Sequence, residues 1–186
     1  ESTGAAAGML APQIEAEYGE EMLLPLTMAS RKIWPDFAKE LEAETGISID
    51  YRREGTIQVS LDRDEQEQLD HRFSFLSRNQ LEVEKLSAYE VRRLEPHISR
   101  AVTGGIYSPQ DHQVDNRALA VALQIALEKA GGILREQSSV EEIVIDKDCV
   151  TGVIVNGEKI TADHVVVAAG AWSRNIRGIP EISRAP

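Results

Sequence analysis

Ser2-Thr3-Gly4-Ala5-Ala6-Ala7-Gly8-Met9-Leu10-Ala11-Pro12 is the stretch around which the chain is organised. From Gly4 to Gly8 every side chain is a methyl group or a hydrogen. That suits a backbone lying flat against a large planar ligand with its N–H groups exposed. A flexible Ala/Gly leader or a close-packed turn would use the same residues. Glycine usage is ordinary, 13 in 186 residues, so composition alone does not separate these readings.

Length and charge narrow the classes. With 186 residues the chain can bury one good core or two small ones. Hydrophobic residues at 42% and charged residues at 27% fit a soluble globular protein. A formal net charge of −11 repels phosphate backbones and anionic lipid, which argues against nucleic acid or a membrane surface as partner. No apolar run approaches the roughly 20 residues that span a bilayer. Cys149 is the only cysteine, so no intrachain disulfide forms and a cytoplasmic location fits. His71, His97, His112 and His164 lack ligand spacing, and no metal is expected.

Spacing along the chain predicts the elements. Leu23, Leu26, Ile33, Phe37 and Leu41, with Ala29 and Trp34, mark an amphipathic helix from Glu21 to about Thr45, kinked at Pro35 and ended by Gly46. Ile47–Tyr51 and Gly55–Leu61 alternate as strands. Asp62 with Glu65 caps a helix to about Asn79 whose stripe is Leu69, Phe73 and Leu76, and Ser87 with Glu90 caps another that ends at Pro96. Leu81–Leu86 and Gly104–Ser108 read as strands. Asp111 and Asp115 read as turn and cap residues, and Asp115 or Asn116 starts a helix along Leu119, Leu123 and Leu127, stopped by Gly131-Gly132 before a strand at Ile133–Arg135. Val140–Ile145, Val150–Val155 and Glu158–Thr161 form an antiparallel meander, with Asn156-Gly157 as a hairpin turn. The run Asp163-His164-Val165-Val166-Val167-Ala168-Ala169-Gly170-Ala171-Trp172-Ser173 reads as a short buried strand leaving through small residues, as nucleotide sites use, with Trp172 as core.

Together the front stretch and the Val-Val-Val-Ala-Ala-Gly-Ala-Trp strand resemble the D-amino acid oxidase superfamily of FAD-dependent oxidoreductases. The Ala-Ala-Ala-Gly-Met-Leu-Ala-Pro wording is most similar to its glycine oxidase branch of thiamine biosynthesis. The resemblance runs along most of residues 1 to 175. It implies an α/β fold: a GR2-type, Rossmann-like FAD-binding domain with a β-meander, interleaved with an α+β antiparallel-sheet substrate domain. Residues 1–46 and 110–178 would belong to the former, 47–109 to the latter, and 179–186 to a linker.

The same resemblance implies FAD as cofactor and assigns contacts. Ser2 and Thr3 would meet the pyrophosphate or ribityl region, and Ala6, Ala7, Gly8 and Met9 would run along the isoalloxazine, with Met9 also facing substrate. Val140 would touch the adenine through its backbone, and Ala169 and Gly170 would let the chain approach the dinucleotide. Gly4 departs from the small polar residue usual in the family. The start at Glu1 within such a loop leads to the expectation of a fragment: the Gly-x-Gly-x-x-Gly turn would lie before Glu1, and the arginine and tyrosine gripping the substrate carboxylate after Pro186. No catalytic residue is therefore assigned. The activity implied is oxidation of glycine or another small amino acid or amine to the imine, with O2 reduced to H2O2, in an enzyme compatible with a homo-oligomer. A D-amino acid dehydrogenase or sarcosine oxidase-like flavoenzyme, and a non-catalytic flavin-binding module, are the alternatives.

Overall fold

The computed structural model describes residues 2–179 and divides the chain between Gly132 and Ile133 into two compact units. The first opens with one helical turn, α1 (Ser2–Ala5), and a two-residue strand, β1 (Met9–Leu10). Next comes α2 (Leu24–Thr45), which starts later than the spacing predicts because Pro25 sits in its first turn, where a missing N–H costs nothing. Pro35 lies inside this helix, and Gly46, at φ 74°, closes it by donating to the Glu42 carbonyl. Its buried face is Ala38 and Leu41, with Trp34 packed beside them. Leu23, Leu26 and Ile33 stand exposed, so the stripe is narrower than the sequence suggests.

Ile47–Tyr51 forms no strand. Ile49 is fully buried, but Asp50 adopts a left-handed φ of 48° and breaks the extended run. After it come β2 (Thr56–Ser60), α3 (Arg63–Arg78), β3 (Glu84–Ser87), α4 (Ala88–Leu94), β4 (Gly104–Ser108), β5 (His112–Gln113) and α5 (Asn116–Lys129). The order β2-β4-β3 makes an antiparallel sheet with Gln58 opposite Ile106. A second ladder pairs Met9 with Gln113 and Leu10 with His112.

Local chemistry explains the boundaries. Asp62 accepts the Glu65 N–H at 2.9 Å to cap α3, while the Glu65 carboxylate reaches back to the Leu61 N–H. At α4 the Ser87 and Glu90 capping box is complete. Asp115 caps α5 by accepting the N–H groups of Arg117 and Ala118, which hold its carboxyl below the usual carboxylate range. The inner face of α5 is Ala122 with Leu119 and Ala126. Leu123 and Leu127 are exposed, so this stripe turns away from the predicted one. Alanines at Ala38 and Ala122 share one cluster where α2 meets α5, and small side chains there let the helices approach closely.

One buried carboxylate ties the unit together. Asp111, with no solvent exposure, accepts the Gln13 N–H at 3.1 Å and the Ile14 N–H at 2.7 Å. Gln13 in turn donates to Ser108 Oγ at 3.2 Å and accepts the Glu82 N–H at 2.8 Å. Leu69, Phe75, Leu76 and Ile106 pack beside this network with Ala11 and Ile14.

The second unit is the expected meander: β6 (Val140–Asp146), β7 (Cys149–Val155) and β8 (Glu158–Thr161), paired antiparallel in that order. Asn156 and Gly157 have φ of 52° and 78°, the positive values a tight hairpin turn demands. Lys147 and Asp148 do the same at 47° and 64° without a glycine. A 3-10 helix follows at Gly170–Asn175.

Two predicted strands are corrected. Neither Ile133–Arg135 nor Val165–Ala168 is a strand, and Val166 is 90% exposed instead of buried. A strand inside a parallel sheet takes its ladder bonds and its cover from flanking elements, and among the described residues nothing pairs with either run. Trp172, expected in the core, is 59% exposed. The α/β character stands, but every pairing between named strands is antiparallel, so no parallel sheet of Rossmann type occurs among the described residues. The expected linker, apart from Ile179, lies outside them.

Asp111→Ala leaves the Gln13 and Ile14 N–H groups buried without acceptors. It should lower unfolding stability by roughly 2–4 kcal/mol in urea titrations of the chain.

Candidate functional site

The front loop is held by groups at and just before the start of α5. Val114 N–H donates to the Gly8 carbonyl at 2.9 Å, Asn116 Nδ2 donates to the Thr3 carbonyl, and the Arg117 guanidinium donates to the Gly4 carbonyl at 3.2 and 3.3 Å. Ser2, Thr3, Ala5, Ala6 and Ala7 remain exposed, and Met9 is 43% exposed. The bareness of the loop has more than one cause. At Gly8, φ is +76° and a Cβ would lie 2.0 Å from the Val114 carbonyl oxygen, so the chain's own backbone excludes a side chain there. At Gly4 a Cβ would meet nothing within 4 Å. Ala6 and Ala7 border a cleft of about 350 Å³ whose wall includes Arg52, Gln113, Asn116 and Arg117.

Behind this loop sits a pair the sequence did not reveal. His112, only 6% exposed, lies opposite Leu10 in the small ladder, and its Nδ1 is 2.6 Å from the Tyr51 hydroxyl. The Arg52–Gln113 bridge brings the two segments together. Tyr51 also stacks on Trp34, centroids 6.3 Å apart, which meets Phe37 edge-on. Burial, aided by the Arg53 and Arg31 guanidinium groups, pushes the His112 imidazole below its ordinary value. Burial pushes the Tyr51 phenol up against the pull of the same arginines. A neutral imidazole and a protonated phenol thus share one short hydrogen bond. A tyrosine and a histidine so far apart in sequence carry no local signal of this contact.

In the second unit, Val140 and Ala169 line one cleft of about 580 Å³ together with Glu141, Trp172, Asn175 and Arg177. Gly170, at φ 52°, begins the 3-10 helix immediately after Ala169. Arg177 extends the edge of β6, its N–H donating to the Glu141 carbonyl and its carbonyl accepting the Ile143 N–H. A Cβ at Gly178 would lie 2.5 Å from the Ile143 carbonyl oxygen, so this edge is also closed by a bare backbone. The exposed Trp172 adds an apolar ring to this wall.

A family model described as FAD dependent oxidoreductase matches residues 1–185. Glycine oxidase of Geobacillus kaustophilus is 33% identical over 178 residues, covering 94% of this chain and 46% of that protein. The bifunctional protein ThiO/ThiG of Trichormus variabilis is 32% identical, covering 97% of this chain and 27% of that one. Among solved structures, glycine oxidase from G. kaustophilus superposes with a TM-score of 0.84 at 34% identity, over 93% of this chain and 46% of its own. Iminodiacetate oxidase from Chelativorans sp. BNC1 gives 0.72 at 26%, over 92% and 46%. The chain spans about half the length of the glycine oxidase it matches. No helix among the described residues is long and apolar enough to cross a membrane.

Because the His112 pKa is lowered from 6.5 in the folded state, the unfolded chain binds a proton there that the native one refuses. The contribution is complete above about pH 6.5 and lost as pH falls below it. Unfolding free energies measured from about pH 7.5 down to 5.5 should therefore decline, with a shallower decline in His112→Gln. Gly8→Ala, forced against Val114, should cost at least about 2 kcal/mol by the same assay.

Proposed function

The chain belongs to the DAO family of FAD dependent oxidoreductases, and from that premise we propose that the intact protein oxidises glycine, or another small amino acid or amine, to its imine while O2 is reduced to H2O2. The observation that carries this reading is the likeness to glycine oxidase, a TM-score of 0.84 across 93% of this chain. Kinship with a bifunctional ThiO/ThiG protein supports a place in thiamine thiazole formation. Iminodiacetate oxidase, at 26% identity, supports keeping small secondary amines within the substrate class.

When bound, FAD supplies the acceptor for the hydride leaving the carbon that bears the amine. The chain's part is to hold and shield. Ser2 and Thr3 are assigned to the pyrophosphate or ribityl region, and Ala6, Ala7, Gly8 and Met9 to the isoalloxazine. The ribbon is fixed from behind by Val114, Asn116 and Arg117, so ordering it for the ligand costs little further entropy. Val140, Ala169 and Gly170 are assigned to the adenosine end, where the cleft beside Trp172 supports them.

The largely exposed runs Ile133–Arg135 and Val165–Ala168 are read as strands of a parallel sheet completed by the rest of the protein, with the meander as its cover. Residues 1–46 and 110–178 then belong to the flavin domain and 47–109 to the substrate domain. The carboxylate-gripping groups lie outside this chain on this reading, and no residue here is given a catalytic role.

Purified intact gene product should carry FAD near one to one and release peroxide in step with glycine consumed. Reduction of a dye without peroxide would replace the oxidase with a dehydrogenase. Absence of both flavin and amine oxidation would overturn the reading.

A further inference from the structure

We propose that the cleft between the front loop, β2 and α3 is an ammonium-binding subsite in which the Gln58 carboxamide oxygen accepts a hydrogen bond from the substrate amine. The inference rests on the oxidase reading and deepens it. The cleft has a volume of about 570 Å³, and Met9, Ile14, Glu15, Glu17, Gln58 and Arg72 are among the residues that line it. Met9 is the residue of the loop assigned to the flavin, so an amine in this cleft would lie beside that loop.

The starting point is an orphan. Gln58 Oε1 is removed from solvent and, among the described residues, is the buried side-chain polar atom that meets no donor. Its neighbours are satisfied. Ser60, two residues along the same face of β2, donates to Gln66 Oε1 at 2.8 Å and contacts Thr103 Oγ1 at 2.9 Å. Arg72, the cation on the cleft wall, places its Nε 3.0 Å and its Nη2 2.5 Å from the Ile14 carbonyl oxygen. A buried acceptor without a donor is expensive, and at a cleft wall a ligand can supply what the chain does not.

The charges select the ligand. Glu15 and Glu17 set two carboxylates against one guanidinium that is already engaged with a carbonyl. The local balance therefore favours a small cation that donates hydrogen bonds over an anion or a neutral acceptor. A primary or secondary ammonium has that chemistry. Gln58 and Arg72 also border the adjoining cleft of about 760 Å³, so the amide stands between two openings. Its terminal torsion is broad and roughly two-fold, so a half-turn exchanges the places of the oxygen and the nitrogen.

The test uses the intact flavoenzyme and Gln58→Met, which keeps the length of the side chain and removes the acceptor. The KM for glycine should rise about 10- to 100-fold with kcat within about threefold, as for loss of uniform binding. Methylammonium should inhibit the unaltered enzyme competitively with glycine, and its inhibition constant should rise by the same factor in the variant. The melting temperature of Gln58→Met should be unchanged or higher, since an unpaired buried acceptor has been removed. An unchanged KM with a lower melting temperature would show a structural amide, bridged by water, and overturn the proposal. So would an unchanged inhibition constant. If Gln58→Met does not fold, Gln58→Glu retains an acceptor and should keep the glycine KM within about threefold; a larger loss in that folded variant overturns it as well. A wild-type protein that holds FAD and oxidises glycine, beside an indistinguishable Gln58→Met, means that only the subsite is wrong. A wild-type protein that does not oxidise glycine means the oxidase reading is wrong, and calorimetric titration with methylammonium, positive in wild type and absent in the variant, then still decides the subsite.

Discussion

The buried Asp111 carboxylate sets the geometry of the first unit. Both of its oxygens are taken by successive backbone N–H groups, Gln13 and Ile14, so the segment leaving the front loop is fixed in position and direction. Hydrogen bonds from backbone amides satisfy a carboxyl group that would otherwise be costly to bury. Gln13, placed by this contact, then spans Ser108 and the Glu82 amide, joining the loop to the β2-β4-β3 sheet. Four residues on, Asp115 caps α5, and between them Val114 packs its carbonyl against Gly8. The short run from Asp111 to Asp115 thus anchors the front loop, the sheet and a helix at once.

That anchoring changes what the small residues at the amino end mean. Gly8 is bare because Val114 leaves no room, which is a packing cause within the chain. Gly4, by contrast, has open space around it, and Ala6 and Ala7 are exposed. Ser2, Thr3, Ala5 and Met9 are exposed with them, and the carbonyls of Thr3, Gly4 and Gly8 are bonded from the start of α5 and the residue before its cap. On the proposed function, these bonds to the ribbon's carbonyls would leave little order to be imposed when a planar ring arrives. The His112–Tyr51 pair beneath adds a polar but uncharged floor to the ladder that carries Met9.

The family membership and the geometry bear on different scales. Kinship fixes the cofactor class for the chain as a whole. The arrangement of Gln58, Arg72 and two glutamates around Met9 speaks to how a small amine would be held. Val140 and Ala169, 29 residues apart in sequence, line one cleft of the second unit.

Local rules legible in the residues held where the chain satisfies itself: the caps at Asp62, Ser87 and Asp115, the Gly46 stop, the Asn156-Gly157 turn, and the strand Gly104–Ser108. Helix stripes were harder, since Leu23, Leu26, Ile33, Leu123 and Leu127 follow the helical period yet face outward; the buried sides are set by alanines that let α2 and α5 meet. The runs at Ile133 and Val165 have strand composition without strand structure, because a ladder needs a partner that composition cannot supply. Likewise the motif of the front loop was visible in the sequence, whereas the buried Asp111, the His112–Tyr51 bond and the orphan oxygen of Gln58 arise from segments brought together over long separations. Short-range hydrogen bonding and backbone sterics are written in neighbouring residues; burial and charge environment exist only once distant segments share a wall, and those the tertiary structure decided.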